Sequence, residues 1–592
     1  MKPNVPQLAA LVLLLTGAVY AAQQQPAAVP GWQLVSGGSA VAQPVKTDYG
    51  FAVLLEGRAI AAATADGTLL WEKSLPGKPE PFLGVGSGNF LYAVTDRRFL
   101  SAYNPSGLRL WTVQLPSDIV SAPLQGRDGR IFVQCADGVG CYGVTGVQKW
   151  FVQAGEPAEF PLYELEDGSL LHIQRKTVSG GSTALRLSPF GAVLEEITFT
   201  GRIRSAACSP YGVILVFDDG STGCCSSPDN AAETRWMLQP GAVVLDGGAV
   251  LLIDEKNGTG CYISAAGSAA AGSPAIGSAN CAFVDLRTGT IKNRIIGIPV
   301  NANRLTCAQF SDKTLVLCDT DTAAAYEETG RNLWQTQIPS RSPWAYLLYL
   351  DNGYLTVFEK NTWITSAYRM VQTVGAPSAA TGKKTPATPA YPIYTETVPT
   401  AAYGKRIDEN TYRTMRASLQ TGNYGTAEAQ WIPLVAAEIH QLRSRFTKRN
   451  GNSRQDITIF DTDAVYAENV VTLAGTFGTR TFTADIAALL TTETDGSMIS
   501  AVLHAAAQTA YDPDGAMLNA ILQLIHKKTT VTNRRVAKDA CDAVYEICRF
   551  MGKPALFSKG IDILRYFFYP QFDREIKEYA SETMQKIISL QM

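Results

Sequence analysis

Four phrases in this chain share one skeleton: "DGTLLW" ending at Trp71, "SGLRLW" at Trp111, "TGVQKW" at Trp150 and "TGRNLW" at Trp334. In each, a glycine (Gly67, Gly107, Gly146, Gly330) precedes the tryptophan by four residues, and the first three tryptophans lie 40 and 39 residues apart. A period near 40 holds four short strands but is too short for a domain, so no unit can bury both of its faces alone. The repeat therefore demands that like units stack, and four-stranded units set radially make a β-propeller.

Each unit reads the same way. A β-rich apolar run such as "RIFVQC" or "KTLVLC" is followed by a polar turn, a second strand, and then the glycine and the tryptophan strand. Glycine suits a turn that needs positive φ, and tryptophan lays a large apolar plate on a pleated surface. Weaker copies fill the long gap: "SPFGAVLEE" sets Gly191 and Glu195 in register, "AAETRW" sets Trp236, and "DLRTGTIKN" sets Gly289 and Asn293. Positions 71, 111, 150, 195, 236, 293 and 334 thus mark seven strand ends. "AYLLYLDNGYLTVFEK" and "TWITSAYRM" supply inner strands of one further unit. Its outer strand is available at "GWQLVSGG", where Trp32 stands 39 residues before Trp71, and closure by that strand leaves no open edge at the ring seam. The expectation is an eight-bladed propeller over residues 28–371, with seven blades as the alternative.

The recurring Thr-Gly-x-x-x-Trp phrase resembles the PQQ-like propeller repeats of quinoprotein dehydrogenases and of the outer-membrane assembly lipoprotein of the BAM complex. The resemblance implies that Gly67, Trp71, Gly107, Trp111, Gly146, Trp150, Trp236, Gly289, Gly330 and Trp334 dock neighbouring blades, a structural role and not a catalytic one. It also gives the adjacent Cys224 and Cys225 an enzymatic reading, since PQQ-dependent alcohol dehydrogenases carry an adjacent-cysteine disulfide over the cofactor. A PQQ and calcium dependent dehydrogenase needs oxygen ligands for calcium and a carboxylate base beside the quinone, and no stretch has a spacing that identifies either. Repeat register offers a packing account instead: Cys141 of "ADGVGCYG" and Cys261 of "NGTGCYIS" fall at similar places, and cysteine packs as a small hydrophobe.

A small-residue insertion, "AAGSAAAGSPAIGSAN" at 265–280, accounts for the long spacing before Asn293 and reads as a rim loop. Residues 372–405 are rich in Pro, Thr and Ala and read as a linker. From about 406 to 592 the apolar period becomes helical; Val536, Ala540, Val544, Ile547 and Phe550 line one face. Helices are expected near 406–420, 426–449, 461–476, 483–493, 497–510, 513–527, 533–550, 555–568 and 574–591. Asp512 and Pro513 read as N-cap and first helical position, and Pro554 opens a helix after Gly552 ends another. Starts at 461, 497 and 533 lie 36 apart, which suggests HEAT-like helix pairs.

The first 22 residues read as a signal peptide: Lys2, an apolar run from Leu8 to Val19 too short to span a bilayer, and small residues near Ala21. The alternative is an uncleaved N-terminal anchor; after signal removal no transmembrane helix is expected. Export points to the periplasm or cell envelope, and exported cysteines can oxidise. Cys135 and Cys141 flank one hairpin turn and are candidates for a cross-strand disulfide, whereas Cys541 and Cys548, two helical turns apart, read as core. A net charge of -2 from 51 basic and 53 acidic residues argues against a dedicated nucleic-acid binder. The four histidines (His172, His440, His504, His526) lack zinc-site spacing. The best reading is a non-catalytic envelope scaffold that binds a protein partner without cofactor; the alternatives are the PQQ enzyme and a cell-wall polysaccharide binder using Trp344 and Trp363.

Overall fold

In the computed structural model the propeller has eight blades. The structure describes residues 28–370 and 407–591, save short stretches within them, of which the longer are 226–233, 239–248, 266–277, 338–344 and 450–459. The leader at 1–22, the linker at 372–405, most of the small-residue insertion and Trp344 lie outside the described residues.

Every blade is a four-stranded antiparallel sheet, and in the first seven the strands follow sequence order from the ring axis outward. Blade 1 is β2 (Val45–Thr47), β3 (Gly50–Leu55), β4 (Ala59–Thr64) and β5 (Leu69–Ser74). Blade 2 runs from β6 (Pro79–Val85) to β9 (Arg109–Gln114), blade 3 from β10 (Leu124–Gln125) to β13 (Gln148–Gln153), and blade 4 from β14 (Tyr163–Glu164) to β17 (Val193–Phe199). Blade 8 takes β30, β31 and β32 from residues 345–370 and its outermost strand from β1 (Ala28–Val35), with Trp32 opposite Ala367. The ring is closed by a strand from the start of the chain.

Second strands such as β3 are buried along their whole length because they pack on both faces, and they read as unbroken apolar runs. Fourth strands such as β5 and β9 are largely exposed and carry the charges. The described helices are α1 (Glu409–Thr421), α2 (Ala427–Arg449), α3 (Phe460–Phe477), α4 (Thr483–Thr492), α5 (Gly496–Thr509), α6 (Ala516–Lys527), α7 (Arg534–Met551), α8 (Pro554–Arg565) and α9 (Arg574–Ser589). α3, α5, α7 and α9 lie side by side in one layer and α2, α4, α6 and α8 in a second, so the helices stack as two layers.

Three boundaries depart from the sequence reading by three residues: α1 starts at Glu409, not 406, α8 ends at Arg565, not 568, with a 3₁₀ turn over Tyr566–Phe568 after it, and the third is the start of α6. α6 starts at Ala516, not Pro513, because Gly515 takes a φ of 71° and bends the chain first. Asp512 still caps the helix, its carboxylate accepting from the Met517 and Leu518 amides at 3.1 and 2.9 Å. Pro554 does open α8, after Gly552 ends α7 in the left-handed region.

Candidate functional site

The glycine and tryptophan repeat is the joint between blades. The ring of Trp71 lies against the Gly107 turn of the next blade, Trp111 against Gly146, Trp150 against Gly191 and Trp236 against Gly289, while Trp32 of the last blade lies against Gly67. Each indole N–H donates to a carbonyl in the same turn: Trp71 to Pro105 at 2.8 Å, Trp111 to Val144 at 2.8 Å, Trp150 to Pro189 at 3.0 Å and Trp236 to Leu286 at 2.9 Å. Asn293 takes the tryptophan's place beside Gly330 and reproduces the bond, its amide donating to Glu328 O at 2.9 Å. Trp334 is buried between blades 7 and 8 with Leu347 and Val357.

The same repeat explains the cysteines. Cys141 and Cys224 both stand opposite the blade's tryptophan on the third strand, Cys141 facing Trp150 and Cys224 facing Trp236. Ala62, Ala102, Ala325 and Ala367 hold that position in the other blades that carry a tryptophan, whereas Arg186 and Phe283 hold it opposite Glu195 and Asn293, so a small apolar side chain goes with the indole. Cys224 is buried among Ile214, Val216 and Tyr262, and the side chain of Cys225 lies outside the described residues. Cys261 does not share this place; it sits on the second strand of its blade. The Cys135 and Cys141 pairing is corrected by register: Cys135 stands opposite Gly138 and Cys141 opposite Phe132. They point to opposite faces, into different cores, and both are free thiols. Burial pushes the Cys135 and Cys548 thiols up to about 12, so neither is a nucleophile near neutrality.

One side-chain group superficially suits acyl transfer. Ser500 and His504 on α5 meet Asp539 on α7, but the carboxylate lies between them, the serine hydroxyl donating to one oxygen and the imidazole 3.1 Å from the other. The imidazole cannot take the hydroxyl proton from there, so the group is a helix-to-helix tie. Among the described residues no cluster of His, Cys, Asp and Glu has metal-binding geometry. Likewise among them, no helix is long and apolar enough to cross a membrane. Of the rim aromatics, Trp363 is 64% exposed beside Val35 and Ile364. His526 packs edge-on against Tyr566, and of the basic run that follows it, Arg534 is paired with Asp573 and Glu575.

The feature that joins the two halves was invisible in the sequence. The first-to-second and third-to-fourth strand turns of blades 2, 3 and 4 share one face of the ring, and the helices dock there. Phe90, Tyr92, Ile131, Tyr142 and Phe190 of the propeller belong to the same hydrophobic core as Phe477, Phe482, Tyr511 and Phe550 of the helices. Phe90 meets Phe550 with ring centroids 5.1 Å apart.

At the centre of this seam the buried Glu428 carboxylate, in the first turn of α2, pairs with Arg130 at 3.3 Å and Lys149 at 3.1 Å. Arg130 also pairs with Asp128 at 2.8 Å and lies over the Phe190 ring. Lys149 donates to Phe477 O at the end of α3, and Asn104 donates to Arg549 O at the end of α7, at 3.2 and 2.6 Å. Donors from the propeller thus meet the electronegative ends of helices. Arg480, just after α3, donates to the Tyr511 hydroxyl at 3.2 Å and reaches toward Gly126 O.

Beside the seam lies a cleft of about 1330 Å³ between β5, the third turn of blade 2 and the ends of α8 and α9. Leu70, Trp71, Leu108 and Leu590 supply its apolar walls; Lys73, Arg109 and Lys553 supply charge.

These are the joints of a PQQ-like β-propeller: residues 55–291 match the family model described as outer membrane protein assembly factor BamB. Among solved structures the chain is similar to BamB from Moraxella catarrhalis, at 12% identity and a TM-score of 0.40, covering 58% of this chain and 99% of that one. It is also similar to Sqt1 from Saccharomyces cerevisiae, at 10% identity and a TM-score of 0.44, covering 59% and 100%. No curated protein matches the chain.

Proposed function

We propose that this chain is an exported, non-catalytic scaffold of the bacterial cell envelope that works in envelope assembly by holding protein partners. The family match supports a protein-interaction kind of role. The observation that carries the reading is the shared core: propeller and helices meet through one buried apolar and ionic seam, so they offer partners a single rigid composite surface. Rigid surfaces bind with less ordering cost than flexible ones, and both halves are architectures that commonly present such surfaces.

Crosslinking in living cells, with capture and mass spectrometry of the full chain, tests it. Recovery of one envelope protein, with crosslinks confined to a propeller rim or a helical face, is the expected result; recovery of cytoplasmic proteins alone, or of nothing, refutes it. The reading also expects that PQQ with calcium leaves the thermal midpoint unchanged. A saturable rise would make the chain a quinoprotein.

A further inference from the structure

The cleft beside the seam combines three features that are unrelated in sequence. Its long wall is β5, the outermost strand of blade 1, whose far edge has no strand partner and whose residues Leu69 and Leu70 are 39% and 46% exposed. An open edge of this kind offers main-chain N–H and C=O groups to an extended chain. Its charges come from three elements: Lys73 on β5, Arg109 at the start of β9, and Lys553 at the start of α8. No ion pair among the described residues engages any of the three, and no carboxylate side chain lines the cleft. Lys553 spends one donor on Pro513 O at 3.3 Å, which leaves its charge uncompensated. Asp48, next to the lining Tyr49, is bonded to Asn89.

α8 adds to the same sign. Its N-cap, Lys553, makes no side-chain cap, and Pro554 at the first position contributes no N–H, so the electropositive helix end opens on the cleft without an acidic side chain to answer it. Apolar walls and three cations thus line one cleft.

The geometry points to an acidic, extended segment of a partner protein as the occupant, laid along β5 with its carboxylates toward Lys73, Arg109 and Lys553 and apolar side chains between them. This rests on the scaffold reading and narrows it to one surface and one partner chemistry. The chain's own linker is a poor match, since residues 372–405 hold Lys383, Lys384 and Lys405 against the single Glu396. Like charge disfavours it in the cleft.

The test is fluorescence anisotropy of the full chain with a short labelled peptide alternating Glu and Val, beside a counterpart alternating Lys and Val. The acidic peptide is expected to bind, to weaken as salt rises, and to lose about tenfold or more in affinity to the double variant Lys73→Glu, Arg109→Glu. Both positions are exposed, so the variant folds, and an unchanged melting curve checks that. Failure of the acidic peptide to bind, equal binding of the Lys peptide, or equal binding by the variant each overturns the proposal. Stronger competition by short polyphosphate than by free peptide overturns it in favour of a phosphate site. A photoreactive residue at position 70 separates this from the scaffold reading: a partner captured in cells only at another face leaves the scaffold standing and removes the cleft.

Discussion

Glu164 on β14, largely covered, and His172 on β15 (Leu170–Arg175), fully buried, are ionisable groups of one blade, and loss of solvent acts on them with opposite consequences for pH. Desolvation raises the Glu164 carboxyl to about 7, against bonds from the Arg127 amide that favour the ionised form. Burial depresses the His172 imidazole to about 4; Gln134 and Gln174 contact its two nitrogens at 2.9 and 3.2 Å. A carboxyl with a raised pKa contributes stability that is present below its unfolded value near 4.5 and lost as pH rises through 7. An imidazole with a depressed pKa contributes stability present above 6.5 and lost as pH falls through 4. Each spans roughly 3 kcal/mol by linkage, so between 4.5 and 6.5 the two slopes nearly cancel. Relative to the parent, Glu164→Gln gains stability as pH climbs from 4.5 to 7, and His172→Gln gains it as pH falls from 6.5 to 4. Urea midpoints across that range check both, and parallel curves for parent and variants would show that neither group titrates as its burial demands.

At the scale of the element, the blade joint was the most legible part of the molecule and the seam the least. Gly191 has a φ of 87°, and a Cβ there would stand 2.7 Å from the ring of Trp150, which is itself buried. Gly191→Ala therefore combines left-handed strain with overpacking, for a loss of roughly 2 to 5 kcal/mol, read as a lowered unfolding midpoint. Gly155, with open space about it, is the control and should tolerate alanine with little change. The joint could be read because it recurs: period, glycine and aromatic plate all lie within one short phrase, and even the Asn293 substitution keeps the hydrogen-bond donor. Helix boundaries were legible for a similar local reason where a cap marks them, as at Gly552 and Pro554, and slipped by a turn elsewhere: at the start of α1, at the end of α8 and at Pro513, where a turn intervenes. Cys135 and Cys141 misled because adjacency across a turn says nothing of register, which sets them on opposite faces. Glu428, Arg130 and Lys149 left no trace, since each is an ordinary charged residue until the fold brings positions nearly 300 residues apart into one buried cluster. The cleft cations Lys73, Arg109 and Lys553 were missed for the same reason.

For the whole molecule the question is whether the two halves hold together without the chain that joins them. The seam answers in energetic terms: a continuous apolar core flanks an ion cluster in which the Glu428 side chain is fully buried and Arg130 and Lys149 are 6% and 4% exposed. Buried pairs of this kind add little net stability over apolar contacts, yet removing one partner strands the others and costs about 3 to 5 kcal/mol. The apolar contacts thus supply affinity and the cluster fixes alignment. A protease site placed within 372–405 and cut in the folded protein should leave two fragments that elute together in size exclusion, including at high salt, because the charges are shielded from solvent ions. Glu428→Ala, cut the same way, should release the helical fragment or lower its dissociation midpoint in urea well below that of the parent, while Glu428→Gln, which keeps shape and some hydrogen bonding, should fall between. Separation of the parent fragments on cleavage would show that the halves are tethered and not fused, and would remove the rigid composite surface on which the scaffold reading rests.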